Sequence, residues 1–596
     1  GRHWGTAIEA VRRAEEFGKS RDASSDLSAR AAEARARIER ESAVALRSRE
    51  LVERFAGLRP HHGDDRDAAE LDAAFVSAFE DAGVDLRSPV ESAAGSIAES
   101  QISSTLVAAL DQWSRFRRRH RVDAALAWRK LHEIAIQADA DPWRTELRRA
   151  FEDRDLERLR AMSADADRQE LDAESFDLLA SCLADLGDRD KAVDLYRRAV
   201  DAHPEDYQLV HNLAAILESL ESPPRAEITR LCWIGVALRP NSAHALTDLG
   251  LALLTDGQPA KALQFLDRSE TIEPEHPRTA LLRGVALQQA GRVSAAVDAY
   301  AIAARGGKPK VLAGYAALLA QVDRVEDAIA ASRRAHQVEP SEFRHSLQLA
   351  RFLGTAARHA EVIELLTPIA SSHPDVADLQ CVLGGALLEV GRFEESAESF
   401  RRALDVGTPE QASRSEAWLA NAEQFVEASA EYEQWTRDES MPKDAEQIAW
   451  LARVACRKGD DAAALRLFDQ ALAFPREIDP RRILGLYLEA GLTLARVVAT
   501  DPNSLASDRE LAPRGISWFE TWVDGCRQFV GADVPAFDLL GGTGVTRFRL
   551  DPAVESFGSR IRADGDESFR ARWKQICEAV EEFRASVLPD GTASGR

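Results

Sequence analysis

The chain has 596 residues, which is too many for one hydrophobic core and enough for several folded units. Apolar side chains make up 45% of the sequence, and this fraction excludes an intrinsically disordered protein. The formal net charge of −23 argues against a nucleic-acid partner, because contact with phosphates needs a basic surface.

The sequence predicts neither a membrane span nor a secretory leader. It contains no run of 18 apolar residues, and it does not open on a signal peptide. The six cysteines are scattered and form no Cys-x-x-Cys pair, which favours buried free thiols in a reducing compartment over a disulfide or metal set. We therefore expect a cytoplasmic protein. Since the first residue is Gly1 and not Met, we also expect a processed chain or a piece of a longer one.

Residues 1–58 predict a charged helical linker, in which Arg30 to Arg54 reads as one long helix. Apolar residues at heptad spacing are sparse along it. This favours a solvent-exposed linker helix over the alternatives, a coiled coil or a packed hairpin.

Residues 59–172 predict a helical region ahead of the repeats. Its opening loop carries His61, His62, Asp64 and Asp65, which are residue types that bind metals. No second group of ligands follows at a fixed spacing, so an exposed loop is favoured over a metal site.

A basic run from Arg117 to Arg121 follows an apolar helical stripe that ends at Trp113. Such a run is typical of a solvated helix end. Contact with an acidic partner or a lipid headgroup is the alternative.

Residues 173–475 contain a two-helix pattern that recurs about every 34 residues. Leu and small residues, then a large apolar residue three or four positions later, build one buried face of a first helix. A glycine falls between the helices, where a left-handed backbone is needed, and a proline ends the unit. In the second helix, an alanine permits close approach and an aromatic residue four positions later fills the gap. The inter-helix glycines are Gly187, Gly257, Gly291, Gly391 and Gly459.

Two copies depart from this pattern. The copy near 207–240 has a two-residue insertion around Pro223-Pro224, with Cys232 and Gly235 at the aromatic and small positions. The copy at 410–442 is degenerate.

The pattern resembles the tetratricopeptide repeat, whose period is also about 34 residues. The resemblance implies an all-α fold: a right-handed α-solenoid of tetratricopeptide-type helix hairpins, with a helical N-terminal region and a helical C-terminal cap. We assign that cap and a tail to residues 476–596, because a solenoid needs a terminal unit with one polar outer face. Within the cap, Gly541 to Gly544 lacks the Lys-Ser/Thr that follows a phosphate loop, so a plain loop is favoured. Pro589 to Arg596 predicts a frayed tail.

Segments ahead of the repeats resemble a second family. They are Trp4 with Ala10 and Ala14-Glu15, Phe75 to Asp85 with Ala108 to Trp113, and Asp139 to Arg144. Followed by the repeats, they look like the region downstream of the catalytic domain in planctomycete-type serine/threonine protein kinases with tetratricopeptide repeats. The resemblance covers roughly residues 1–420. It implies that a kinase domain precedes Gly1 in a longer protein.

No catalytic motif is visible in the sequence itself. Asp153 to Leu156 echoes a kinase catalytic loop, but Arg160 occupies the Asn position and no Asp-Phe-Gly follows, so we interpret it as a coincidence on a charged helix. Gly-x-Ser-x-Gly and His-Glu-x-x-His motifs are absent. We expect no catalytic residue, no metal ligand and no cofactor in this chain.

Candidate binding residues lie in the first helices of three consecutive repeats. The resemblance implies that positions 2, 5, 9 and 12 of each repeat face a concave groove. Position 2 is Arg278, Lys310 and Arg344, and Arg351 takes position 9 of the last of these repeats. Stacking would align the cations in a strip, which predicts binding of an acidic peptide. Solvated surface charge is the alternative.

These features favour a protein-interaction scaffold, because long repeat surfaces bind extended segments without needing a reaction. The kinase resemblance implies a regulatory or substrate-recruiting arm, which would raise the effective concentration of a tethered substrate. Three alternatives stay open: a parent protein that is itself the kinase, a free-standing scaffold with no linked kinase, and a transferase that measures its substrate with the repeats. No sugar-nucleotide domain is visible after residue 500. The sequence does not predict an oligomeric state.

Overall fold

The computed structural model describes residues 9–13, 25–58, 68–120, 127–166, 170–438, 444–500, 511–529, 548–549, 551–564 and 567–587. These residues form α-helices joined by short connections, with no strand among them, so the predicted all-α repeat fold is confirmed. The chain divides into two compact units, residues 1–272 and 273–596. The predicted loops at His61 to Asp65 and Gly541 to Gly544 and the tail from Pro589 lie outside the described residues.

The first unit contains the pre-repeat region and three repeat hairpins. Its pre-repeat helices are α1 (Ser25–Leu58), α2 (Ala68–Asp81), α3 (Val90–Ala98), α4 (Ser103–His120), α5 (Trp128–Ala138), α6 (Pro142–Glu152) and α7 (Leu156–Asp165). Its hairpin helices are α8 (Ala173–Asp185), α9 (Arg189–Ala202), α10 (Tyr207–Glu218), α11 (Arg225–Leu238), α12 (Ala243–Thr255) and α13 (Pro259–Ile272).

The long helix α1 is packed at its end. The predicted single helix is confirmed, but Phe55 is only 2% exposed and its ring centroid lies 5.0 Å from that of Phe79 on α2. The guanidinium of Arg54 also donates a 3.0 Å hydrogen bond to the Ser77 hydroxyl. The expectation of a linker helix solvated throughout is therefore wrong for its last turns.

An aromatic core with one buried ion pair holds α2 against α4. The Trp113 ring stacks on Phe75 and Phe79, with centroids 5.4 and 5.8 Å apart. Asp72 accepts hydrogen bonds from Trp113 Nε1 at 2.7 Å and from Arg117 Nε and Nη2 at 2.5 and 2.8 Å. Arg117 is 2% exposed, so the interpretation of this basic run as a solvated helix end is wrong at its first residue. The reason is Asp72, a counter-ion that lies 45 residues earlier in the sequence.

Asp153, Arg154 and Asp155 form a turn between two helices, and only Leu156 of this segment belongs to a helix, as the first residue of α7. Arg154 has a φ of 59°, which breaks the chain between α6 and α7. The Asp155 carboxylate then accepts a hydrogen bond from the Arg158 amide, so it caps the N-terminus of α7.

The second unit continues the hairpins and ends in the helical cap. Its helices are α14 (Pro277–Gln289), α15 (Val293–Ala303), α16 (Pro309–Gln321), α17 (Val325–Val338), α18 (Phe343–Thr355), α19 (His359–Ser372), α20 (Ala377–Glu389), α21 (Phe393–Val406), α22 (Pro409–Asp438), α23 (Ala445–Arg457), α24 (Asp461–Leu472), α25 (Pro480–Thr500), α26 (Leu511–Phe529), α27 (Pro552–Asp564) and α28 (Glu567–Val587). Residues 410–438 of the degenerate copy are thus part of one continuous helix, α22, in place of a hairpin.

The hairpin of α14 and α15 follows the predicted packing. At α14 and α15, Ala296 is fully buried, and the Tyr300 ring lies over Gly284, where an added Cβ would come within 2.5 Å of it. The five inter-helix glycines all have left-handed φ values between 71° and 97°, as predicted. Two hairpins without this glycine place Asp323 and Ala357 in the same conformation, at φ of 62° and 56°.

One described stretch, Arg482–Thr500 in α25, is long and apolar enough to meet the length and composition of a membrane span. More than half of it, 56%, is buried inside the second unit, where it packs on α26 and α27. Glu489 on this helix forms ion pairs with Arg453 at 3.0 Å and Arg457 at 3.3 Å. These contacts make it a central helix of the cap.

Candidate functional site

A polar groove in the first unit lies between α4 of the pre-repeat region and helices α8 and α10, which are the first helices of two consecutive repeats. It consists of two adjoining pockets with volumes of about 320 and 380 Å³. Gln112, Arg115, Asp177 and Gln208 line both pockets, so the two form one continuous depression. We call it the first-unit groove.

The repeat side of the first-unit groove is a fixed hydrogen-bond network. The Asp177 carboxylate accepts from the Tyr196 hydroxyl at 2.8 Å and from Asn212 Nδ2 at 2.6 Å. Gln208 Nε2 donates to Asn212 Oδ1 at 2.9 Å. Burial, and then the Asp177 charge, raises the pKa of Tyr196 well above its ordinary value, so its hydroxyl stays a donor. The amides are therefore held in place before any ligand arrives.

An ion-pair cluster joins the two sides of the first-unit groove. Arg115 Nε on α4 donates to Asp185 on α8 at 2.7 Å, and the Arg119 guanidinium contacts the other oxygen of the same carboxylate. Burial alone would raise the pKa of Asp185, but the two guanidiniums outweigh it and hold that pKa below its ordinary value. Arg119 keeps 49% of its side chain exposed, and Arg189 nearby is also exposed. One end of the groove therefore carries accessible positive charge.

The segment Asp139 to Arg144 builds the far wall of the groove. Asp139 accepts from Arg144 Nε at 2.7 Å and lies 2.9 Å from Arg148 Nη2. Arg148 also donates to both carboxylate oxygens of Asp111 on α4, at 2.8 and 2.7 Å. These ion pairs thus hold the start of α6 against α4.

A second cluster in the first unit contains His211 of α10 with His244 and Asp248 of α12. His211 Nδ1 lies 3.1 Å and His244 Nε2 3.3 Å from Asp248 Oδ2. The sequence predicts no metal ligand in this chain, whereas one potential ligand atom from each of these three side chains lies within 4.8 Å of the others. Tertiary structure brings the group together, because His211 is 33 residues or more from the other two.

The predicted basic residues all lie in the second unit. Arg278, Lys310 and Arg344 are each the second residue of a first helix, namely α14, α16 and α18. Lys310 and Arg344 are exposed, and Arg278 is half-buried. Their alignment into one strip stays a prediction.

Arg351 is engaged by the protein itself. Its Nη2 donates to Asp378 Oδ2 on α20 at 2.6 Å, which offsets part of its charge. Within the described part of the chain, the Arg344 guanidinium has a loose contact with Glu342 at 3.5 Å and lies over the Phe343 ring. Arg344 is therefore more available to a ligand than Arg351.

Sequence reasoning missed the first-unit groove and the histidine cluster, although part of the signal for each was present: Asp177 and Gln208 line the groove, and His211 and His244 belong to the cluster. Position 2 of the copies that begin at residues 207 and 243 is Gln208 and His244. Position 5 of the copies that begin at residues 173 and 207 is Asp177 and His211. The same positional rule that selected the basic residues would have selected these four. No repeat rule could have indicated α4, because it lies outside the repeats.

Residues 173–216, which comprise α8, α9 and most of α10, match the family model described as tetratricopeptide repeat. No curated protein matches the sequence of this chain.

Several solved structures have a similar arrangement over part of the chain. A tetratricopeptide repeat protein from Parabacteroides merdae ATCC 43184 is 16% identical and covers 42% of this chain and 98% of its own, with a TM-score of 0.30. PilW, a type IV pilus biogenesis factor, is 17% identical over 35% of this chain and 98% of its own, with a TM-score of 0.32. A thermophilic repeat protein of Thermus thermophilus is 21% identical over 30% of this chain and 99% of its own, with a TM-score of 0.26.

Proposed function

We propose that this chain is a protein-interaction scaffold and that the first-unit groove holds an extended polypeptide segment. The observation that carries the proposal is the continuity of two pockets across α4, α8 and α10, lined by the amides of Gln112, Gln208 and Asn212. A carboxamide both donates and accepts, so it matches the N–H and C=O groups of an extended backbone.

The groove is organised before binding. Asn212 and Gln208 are hydrogen-bonded to each other, and Asp177 anchors Asn212 to the Tyr196 hydroxyl. Fixed side chains lose little rotamer freedom when a ligand arrives, which lowers the entropic cost of association.

The exposed positive charge at the first-unit groove favours an acidic peptide segment as the ligand. Arg119 and Arg189 are exposed at one end of the first-unit groove. The predicted strip of Arg278, Lys310 and Arg344 would act in the same way in the second unit. Exposed cations raise the association rate of an acidic peptide and reject basic ones, and added salt weakens both effects.

Peptide selection against the purified full chain, followed by fluorescence anisotropy, tests the groove. We expect Asn212→Ala with Gln208→Ala to weaken a selected peptide about tenfold, which is the loss of roughly one net hydrogen bond. Lys261→Ala on the exposed side of α13 is the matched control and should leave the affinity unchanged. Equal affinities for all variants would show that the peptide binds elsewhere.

Charge reversal tests the second-unit residues separately. Arg278→Glu, Lys310→Glu and Arg344→Glu together should weaken an acidic peptide in calorimetry, and the loss should shrink at high salt. Unchanged affinity would reject the strip and leave the groove proposal standing.

We further propose, from the resemblance of the segments ahead of the repeats, that the chain is the regulatory or substrate-recruiting arm of a bacterial serine/threonine protein kinase in the cytoplasm. Recruitment would raise the effective substrate concentration near the active site. The coding sequence before Gly1 tests the link: a Gly-rich loop and a His-Arg-Asp motif would support it. An initiator Met within a few codons and no catalytic domain would favour the alternative, a free-standing scaffold.

A further inference from the structure

We propose that His211, His244 and Asp248 bind one divalent transition-metal ion of the zinc class. This inference is independent of peptide binding. The three side chains come from the first helices of two neighbouring hairpins, α10 and α12, and both helices lie within the first unit. Two imidazoles with one carboxylate form a nitrogen and oxygen donor set that suits zinc and its neighbours in the first transition row.

The spacing of the donor atoms fits a small ion. Ligand atoms about 2.0–2.1 Å from a tetrahedral zinc are roughly 3.3–3.4 Å from each other. The distances from Asp248 Oδ2 to His211 Nδ1 and to His244 Nε2 are 3.1 and 3.3 Å, close to two edges of that tetrahedron. The third edge joins the two histidines, and one potential ligand nitrogen of each lies within 4.8 Å of the other.

The surroundings hold the three side chains close to the surface of the first unit. His244 and Asp248 are four residues apart and therefore lie on one face of α12. The Tyr207 ring is stacked on His211 with its centroid 5.9 Å away and an interplanar angle of 15°, which restricts rotation of that imidazole. The side chains of His211, Asp248 and His244 are 10%, 16% and 30% exposed, respectively, so the cluster lies near the surface, and the His244 Nε2 atom within it is buried.

The two histidine rings are not stacked on each other. Their centroids are 4.9 Å apart and their planes are at 61°, so the ring edges that carry the nitrogens can converge on one point. Three protein ligands leave a coordination position of tetrahedral zinc for water, as in zinc sites that keep an open position. Metal binding would also link α10 to α12 and so stabilise the contact between two hairpins.

The test uses the metal-stripped full chain titrated with Zn²⁺ in a calorimeter and with Co²⁺ by visible absorption. We expect one ion per chain and the intense visible absorption of four-coordinate cobalt. His244→Ala and Asp248→Asn should each weaken binding by about 100-fold or more, since even residues that only support metal ligands contribute about 10–100-fold. His276→Ala, in the second unit, is the matched histidine control and should bind as the unchanged chain does.

A stability measurement separates metal binding from misfolding. Zn²⁺ should raise the unfolding midpoint of the unchanged chain and of His276→Ala, but not that of Asp248→Asn, whose midpoint without metal should be close to normal. The proposal is overturned if the unchanged chain binds no Zn²⁺. It is also overturned if His276→Ala loses as much affinity as His244→Ala, because the ion would then be held by scattered surface histidines.

Discussion

The buried ion pair between Asp72 and Arg117 gives the sharpest prediction about the wall of the first-unit groove. Asp72→Ala removes the acceptor of three hydrogen bonds, one from Trp113 and two from Arg117. The Arg117 side chain is only 1% exposed, so its charge would be left buried without a counter-ion. Breaking such a pair costs about 3–5 kcal/mol, which is a large part of the stability of a single unit.

The double variant shows where that cost comes from. Replacing both partners with apolar residues, Asp72→Leu with Arg117→Met, removes the buried charge as well as the bonds. We expect the double variant to be more stable than Asp72→Ala by about 2 kcal/mol or more, because the desolvation penalty disappears with the charge. Asp72→Asn should fall between the two, since its amide oxygen can still accept from Trp113.

Hydrogen exchange of the full chain measures this loss of stability in individual helices. The opening free energy of amides in α2 and α4 should fall in Asp72→Ala, while amides of α16 in the second unit serve as the internal control. A loss below about 1 kcal/mol, or a double variant as unstable as the single one, would refute the reasoning. Because α4 forms one side of the groove, the same variant should also weaken peptide binding.

Further predictions concern the hairpins and pH. Ala357→Gly should raise the free energy of unfolding by about 0.5–1 kcal/mol, because it relieves a left-handed alanine, and the reciprocal Gly257→Ala should lower it by about 1 kcal/mol, both measured by chemical denaturation. Ala or larger residues at position 284 should destabilise their hairpin, because the Cβ added to Gly284 collides with a tyrosine ring; a normal melting curve for Gly284→Ala would contradict the packing. His132 Nε2 donates a hydrogen bond to the Arg148 carbonyl, and burial lowers the pKa of this histidine. The stability that the neutral His132 ring contributes is therefore complete above about pH 6.5, the ordinary pKa of histidine. That stability is lost as the pH falls toward the lower pKa of His132 in the folded state. The unfolding midpoint should therefore drop between pH 7.5 and 5.5, and His132→Gln should reduce that drop; equal slopes in both proteins would assign the pH dependence to other groups.

The sequence by itself determined the hairpins, because their rules are local. Gly187 and Gly257 mark turns that need a left-handed backbone, and Ala296 with Tyr300 encodes the packing of a second helix on its first. Each of these residues packs within its own repeat, so its spacing along the chain is enough to place it. The same locality explains the single long helix of α1, which composition alone indicated.

Tertiary structure decided the charges, the groove and the metal-ligand cluster, because these depend on pairs far apart in the chain. From the sequence alone, Arg117 is predicted to lie at the surface. In the structure it is buried, because Asp72, 45 residues earlier, is its counter-ion. His211 reads as an ordinary helical histidine until stacking of the next hairpin brings Asp248 within 3.1 Å of it. A periodic sequence specifies how one hairpin packs, whereas the side chains that meet between neighbouring elements are fixed only when those elements stack.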